Sequence, residues 1–250
     1  MDCCKMRISY IIIEYHSVED SMACCDSIVN AVPANWNYEI IISSNSVYSV
    51  EQQQKILLNN KTVKWIFNDK NGGFAYAMNQ GLKNATGDIL VIMNPDVRIQ
   101  KGLLEMLSYF QSQKKIGIIA PKIVNKCNVL QDSFREFITP QNFLLRHLKR
   151  LFSKAEIGTD EKPKDVDWVI GAFMMTSRSA YEKVGGMDDK YFMYCEDMDW
   201  CKRMHLQGYS VIYYPQTVIE YEGTRSARHS WKYAWIFLKS LFRYWTKFLW

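Results

Sequence analysis

Between Arg7 and Ile119, short runs rich in β-formers alternate with stretches patterned as helices, and this alternation is the tightest constraint on the fold. The strand candidates are Ile8–Ile13, Glu39–Ile42, Val63–Phe67, Ile89–Met93 and Ile116–Ala120. Between them lie the helix candidates Val18–Val32, Val50–Asn59, Phe74–Asn84 and Gly102–Gln113, the first opened by a capping-box pattern from Ser17 to Asp20. Such repetition builds a mainly parallel sheet with helices on both faces, an α/β fold. The run DILVIMNPDV at residues 88–97 is the sharpest case: Ile89 to Met93 is apolar without period, as in a strand buried on both faces. Pro95 has no N–H to give the ladder, so the strand stops at Asp96.

In this architecture ligands bind beyond the carboxyl ends of the strands. The residues there are Glu14-Tyr15-His16-Ser17, Ser43-Ser44-Asn45, Asn68-Asp69 and Asn94-Pro95-Asp96, all of them polar. Four polar ends along one edge point to a site. A chain of 250 residues that is 48% hydrophobic and 23% charged can bury one large core. Its net charge of +5 argues only weakly for an anionic partner. The seven cysteines are odd in number and lack metal-ligand spacing, which disfavours a zinc site and fits reduced thiols in the cytosol. The apolar run Tyr10–Ile13 is too short for the core of a secretory leader.

Three constellations carry chemistry. Asn71 to Gly81 joins a strand to a helix through Gly72 and Gly73, which would let backbone N–H groups approach a phosphate or base at a helix N-terminus. It matches neither the dinucleotide nor the P-loop pattern. Glu196, Asp197 and Asp199 open a helix among Tyr191, Phe192, Tyr194 and Trp200. Acids favour helix N-termini, yet a carboxylate desolvated by aromatics is also a candidate base. Asp96, with Asn94 beside it, reads either as a turn residue or as the oxygen site of a Mg2+ or Mn2+ ion whose shell ligand phosphates complete.

Taken together these segments resemble a known family. NGGFAYAMNQG followed by GDILVIMNPDV is similar to the nucleotide-sugar half of the family 2 glycosyltransferases, rhamnosyltransferase-like branch. WVIGAFMMTSRSAYEKVGGMDDKYFMYCEDMDWCKRMHLQGY resembles its acceptor half, and SYIIIEYHS its first strand and turn. The resemblance implies a GT-A fold, an inverting mechanism and a nucleotide-diphospho-sugar donor. It puts the metal on Asp96 with Asn94 at the first position of the motif, and makes Asp197 the catalytic base with Glu196 beside it. Donor-binding positions would be Glu14, Tyr15, Ser44, Asn45, Asn71, Gly72, Gly73, Asn79, Asn94 and Asp96. Gly171, Asp199 and Arg203 would lie on the acceptor side. Three departures stand out: Ser43-Ser44-Asn45 replaces an Asp that contacts the base, Glu14-Tyr15-His16 replaces Asn-Tyr-Asn, and Glu220 stands where many relatives have His near the metal. Base recognition would then use hydroxyls or Asn45, and Glu220 becomes a second candidate metal ligand.

These readings divide the chain into one glycosyltransferase domain, 1–226, and a C-terminal helix, 227–250; within the domain, 1–120 is the nucleotide-sugar half and 121–226 the acceptor half. The excursion at 121–165 includes the basic amphipathic stretch Gln141–Phe152 and the polar segment Ser153–Asp165. In the tail, Trp231, Trp235, Leu238, Phe242, Trp245 and Leu249 form one stripe and Lys232, Lys239, Arg243 and Lys247 another. A membrane span is disfavoured, since each central cation costs about 2.5–3.5 kcal/mol on the insertion scale. An interfacial helix, peripheral on the inner face of the cell membrane, fits better; packing on the domain is the alternative. The expected activity is transfer of rhamnose from dTDP-rhamnose to a hydroxyl of a lipid-linked glycan in polysaccharide synthesis. Alternatives are a UDP-hexose donor or a non-catalytic nucleotide-sugar- or glycan-binding relative. A sugar-nucleotidyltransferase would need a Gly-rich basic loop near residue 15, which is missing, and nucleic-acid binding has little support because the basic residues sit on apolar helices.

Overall fold

The computed structural model describes residues 6–60, 62–143, 161–223 and 231–248. Its first half is the expected alternation: β1 (Arg7–Glu14), α1 (Val18–Ala31), β2 (Asn37–Ser44), α2 (Val50–Asn59), β3 (Lys64–Phe67), α3 (Phe74–Asn84), β4 (Ile89–Met93), β5 (Arg98–Lys101) and α4 (Leu103–Ser112). Strands β1 to β4 are parallel, in the order β3-β2-β1-β4. Their apolar runs are buried on both faces: Ile8, Tyr10 and Ile12 pack into one core cluster, Ile11 and Ile13 into the other. All five residues of β4 are buried, and beyond it the Asn94 carbonyl accepts the Val97 N–H at 3.3 Å, closing a tight turn around Pro95 and Asp96. The turn therefore fixes Asp96 at the carboxyl edge of the sheet.

One local expectation fails. The Ser17 side chain makes no capping bond to α1. The Ser17 N–H instead donates to Glu14 Oε1 at 2.8 Å, and Asp20 turns outward to Arg98. A true capping box forms at Ser49 and Gln52, which cap each other's backbone N–H groups at α2.

The second half comprises β6 (Ile116–Val124), β7 (Phe134–Arg135), β8 (Lys164–Asp165), β9 (Trp168–Val169), β10 (Phe173–Ser177), α5 (Arg178–Val184), α6 (Glu196–Leu206) and β11 (Ser210–Glu220). β10 runs antiparallel between β4 and β6, extending the sheet as β4-β10-β6-β11-β5 and making it mixed. β9 and β10 are separated at Gly171, whose backbone N–H turns away to the Asp197 carboxylate. β11 continues past Pro215, whose missing N–H falls in a register shift between Tyr214 and Val218. Most of Gln141–Phe152 and of Ser153–Asp165 lies outside the described residues, as does Leu249.

Three joints lock the halves together. The Asn79 amide grips Met187 from both sides: Nδ2 donates to its carbonyl at 2.7 Å and Oδ1 accepts its N–H at 3.0 Å. The Phe74 N–H donates to the Phe192 carbonyl at 2.9 Å. At Gly73, with φ of 90°, an added Cβ would lie 2.1 Å from that same carbonyl oxygen, so only glycine allows the approach. Arg178 donates to the carbonyls of Gly87 and Ala85 at 2.7 and 2.8 Å.

The last described element, α7 (Trp231–Phe248), packs on the domain through Leu241 and Tyr244, which are buried, and through Phe237, Trp245 and Phe248. Asp188 fastens it through Arg243 and Lys247 at 2.8 and 2.9 Å. Burial alone would raise the Asp188 carboxyl, but the hydrogen bonds from Lys247 and Arg243 outweigh it and hold the group down at about 2. The stripe expected to meet a surface is largely left outside: Trp231, Trp235, Leu238 and Phe242 are exposed, whereas Trp245 turns inward to the Ile138 carbonyl. The helix thus packs one face on the domain, the alternative expectation, and leaves the other face open. No described helix is long and apolar enough to cross a membrane.

The Asn79 joint is directly testable. Asn79→Ala leaves the N–H and carbonyl of a buried residue without partners, and the expected loss is about 1–3 kcal/mol. Urea denaturation should show this as a lower midpoint at unchanged slope, while a midpoint equal to wild type would show that the joint contributes nothing.

Candidate active site

A cavity of about 460 Å3 opens where the carboxyl edge of the sheet meets α6 and α7. Its polar lining comes from Asn94, Arg135, Gly171, Glu196, Asp197 and Tyr221. Ile138, Trp168 and Ile170, with Tyr233 and Phe237 of α7, form an apolar wall.

Asp197 is positioned by backbone. Gly171 N–H donates to Oδ2 at 3.0 Å and Met198 N–H to Oδ1 at 2.8 Å. A Cβ at Gly171 would stand 3.3 Å from the Asp197 Cβ, so the glycine keeps this approach close. Burial raises the carboxyl above its ordinary range, moderated by those two N–H groups and by Arg135. Glu196 is more deeply buried, and its Oε2 has no hydrogen-bond partner among the described residues. Burial, reinforced by the charge of Asp197, pushes its carboxyl well up. The pair thus consists of one acid that favours the proton and one that is held ready by two backbone donors. Tyr194 and Cys195 both have positive φ, 71° and 68°, costing about 1–2 kcal/mol each. This strained corner aims the first turn of α6 into the cavity.

On the donor edge, Asn94 lines the cavity and Asp96 sits half-buried in the turn next to it. Burial raises the Asp96 carboxyl, and the negative charge of Asp20 adds to this. Asn94 Nδ2 donates to Tyr221 Oη at 3.1 Å, which leaves its Oδ1 unengaged by any described residue. One carboxylate and one amide oxygen fit a partial Mg2+ or Mn2+ shell of the kind that ligand phosphates and water complete. Among the described residues no three His, Cys, Asp or Glu side chains cluster as a self-sufficient metal site.

Several residues expected at the site serve the framework instead. Glu14 is fully buried and accepts from Ser44 Oγ, from Ser46 Oγ at 3.2 Å and from Tyr48 Oη at 2.9 Å. Tyr15 beside it is exposed. Asn45 is spent as well: Nδ2 donates to the Gly73 carbonyl at 2.9 Å and to Asn71 Oδ1 at 3.3 Å, while Oδ1 accepts from Asn68 at 3.1 Å. The expectation that Ser44 or Asn45 reads a base is corrected accordingly, since both already serve other protein groups. The glycine loop is corrected too. The N–H groups of Gly72, Gly73 and Phe74 go to the Lys70 carbonyl, Asn71 Oδ1 and the Phe192 carbonyl, so they form no open phosphate cradle. Asn79 holds Met187 and does not face a ligand.

Asp199 and Arg203 also lie away from the cavity. Asp199 is fully buried and accepts from Arg203 Nε at 2.7 Å, and Arg203 donates to the Val184 and Gly186 carbonyls at 2.9 and 2.7 Å. The Glu220 carboxylate accepts from Gln100 at 3.4 Å, and it is the neighbouring Tyr221 that lines the cavity. Successive side chains at a strand end face opposite ways, which separates the two. Tyr221 and Arg135 escaped sequence reading, since a lone Tyr after a strand and an Arg in an irregular excursion carry no spacing signal.

Residues 9–185, well over half of the chain, match the family model described as glycosyl transferase family 2, and residues 157–230 match one described as the N-terminal domain of galactosyltransferase. The chain is 26% identical over 208 residues to the low-salt glycan biosynthesis hexosyltransferase Agl10 of Haloferax volcanii, covering 82% of this chain and 63% of that protein. It is 28% identical over 251 residues to the rhamnosyltransferase WbbL of Escherichia coli, covering 94% and 91%. To the N-acetylglucosaminyl-diphospho-decaprenol L-rhamnosyltransferase of Mycobacterium tuberculosis it is 25% identical over 154 residues, covering 56% and 48%. Among solved structures, GalNAc-T7 with UDP, GalNAc and Mn2+ superposes with a TM-score of 0.66 at 14% identity, over 86% of this chain and 44% of that one. The mannosyltransferase PcManGT from Pyrobaculum calidifontis with GDP-Man and Mn2+ gives 0.61 at 16% identity, over 91% and 60%. The chain therefore spans less than two thirds of the first of these relatives and of both structures.

The raised Glu196 carboxyl has a consequence for stability. The folded state holds the Glu196 proton to higher pH than the unfolded chain does, so in that window folding stability falls as pH rises. Glu196→Gln removes the buried charge. Thermal unfolding should show the variant more stable than wild type at pH 8 and little different near pH 4, with a flatter pH profile between; an unchanged profile would contradict the raised carboxyl.

Proposed function

The chain belongs to glycosyl transferase family 2, with a GT-A fold, and from that premise we propose that it is an inverting glycosyltransferase using a nucleotide-diphospho-sugar donor. The observation that carries this reading is the cavity that Asn94 shares with Asp197. Asp197 removes the acceptor hydroxyl proton as that oxygen attacks the anomeric carbon, and the nucleoside diphosphate leaves from the opposite side. Two backbone N–H groups keep Asp197 oriented, and the buried Glu196 favours its own proton, so Asp197 is the acid of the pair available as base. Asp96 and Asn94 would hold a Mg2+ or Mn2+ ion, which when bound neutralises charge on the leaving diphosphate. Both solved neighbours named above contain Mn2+, which supports this assignment.

The donor sugar we infer is rhamnose, carried by dTDP, in keeping with the two rhamnosyltransferases among the relatives. The acceptor is a lipid-linked glycan. Its support is the apolar wall, which Tyr233 and Phe237 of α7 extend beside Ile138, Trp168 and Ile170, together with the decaprenol-linked substrate in one relative's name. The exposed Trp231, Trp235, Leu238 and Phe242 sit on the same helix, with Lys232 and Lys239 making no ion pair among the described residues. Such a stripe suits the headgroup zone of an anionic bilayer and would bring the cavity to the lipid surface where the acceptor resides.

Two measurements test the mechanism. Asp197→Asn should lower kcat about 1,000-fold or more while dTDP binding persists, and full rate in the variant would remove the base assignment. Transfer should also cease in excess chelator and return with Mn2+ or Mg2+; undiminished transfer without a divalent ion would remove the role of Asp96.

A further inference from the structure

We propose that Tyr221 is a donor-site residue whose hydroxyl, held by Asn94, donates a hydrogen bond to an oxygen of the departing diphosphate; this rests on the reading of the cavity given above. Tyr221 follows β11 directly, and its N–H donates to the Val124 carbonyl at 2.9 Å, so the ring stands on the rigid sheet. Its oxygen accepts from Asn94 Nδ2 at 3.1 Å, and its own proton meets no acceptor among the described residues. It lines the same cavity as Asn94 and Asp197, and the charges of Asp96 and Asp197 both act on it.

The diphosphate is the fitting partner because several other donors nearby are already committed, among them Arg135, whose Nη2 pairs with Asp132 at 2.7 Å. The N–H groups of Gly72, Gly73 and Phe74 are spent within the protein. Arg98 Nη1 donates to the carbonyls of Pro95 and Val97, and its Nη2 pairs with Asp20. As the bond from the anomeric carbon to the diphosphate oxygen breaks, both electrons move to that oxygen. The Tyr221 proton is shared in a hydrogen bond and is not transferred. A donor aimed at developing charge stabilises the transition state more than the ground state.

The experiment uses the full chain and three variants: Tyr221→Phe, Tyr221→His and Asp197→Asn. Calorimetry with dTDP and with UDP, each with Mn2+, measures binding, and steady-state transfer measures kcat and both KM values. For Tyr221→Phe the expected result is about tenfold weaker nucleoside diphosphate binding and a kcat lower by about tenfold to a hundredfold, with acceptor KM and melting temperature unchanged. Tyr221→His retains an N–H donor and should recover much of both losses, whereas Asp197→Asn should lose kcat and keep binding. Unchanged binding and kcat in Tyr221→Phe would overturn the inference alone, as would equal losses in the Phe and His variants. A wild-type chain that neither binds nor transfers would overturn the reading of the cavity, and this inference with it.

Discussion

The backbone of Met187 is held on both sides by the amide of Asn79, and the geometry of the cavity follows from that grip. Asn79 lies on α3, behind the donor edge, and Met187 begins the segment that leads through Tyr191 and Tyr194 to α6. The contact of Gly73 with the Phe192 carbonyl repeats the constraint one turn away, and Arg178 repeats it at the far end of β4. Asp197 and Asn94 come from opposite halves of the chain. Unless the halves are fixed relative to each other, Asp197 and Asn94 do not face the same space.

This joint explains why so much of the family-like pattern avoids the ligand. Gly72 and Gly73 suggest a phosphate cradle, but Gly73 admits the Phe192 carbonyl, and Asn79 and Gly186 likewise bring the two halves together. At Gly186 an added Cβ would stand 2.4 Å from Asn79 Oδ1. The same economy governs Glu14, whose fully buried carboxylate gathers Ser44, Ser46 and Tyr48 and so shapes the ends of β1 and β2 without touching the cavity. The polar edge of the sheet is thus mostly a network of mutual satisfaction, as buried polar groups require. On that edge Asn94 lines the cavity and Asp96 lies in the turn beside it.

The fold was legible in the sequence wherever local pattern decides. β4, α2 and α3 begin and end at the expected residues, because apolar runs bounded by turn residues and capped helical stretches are signals confined to neighbours in the chain. The acceptor half was less legible. Its strand β10 enters antiparallel between β4 and β6, and nothing local in FMMTS encodes its neighbours. Within the site, Asp197, Glu196, Asn94 and Gly171 were readable because their motifs are contiguous. Tyr221 and Arg135 were not, since their importance arises from being brought to the cavity by β11 and by the excursion after β6. Tyr221 rather than Glu220 lines the cavity because one step along a strand end reverses the side chain.

The central claim is that one carboxylate, Asp197, acts alone as base opposite the donor edge, so that transfer is a single direct displacement. The anomeric configuration of the product tests this most directly. The one-bond C1–H1 NMR coupling of the first glycoside formed, compared with that of the donor, should show the opposite configuration. A product with the donor's own configuration would require a different path through the cavity and would contradict the account.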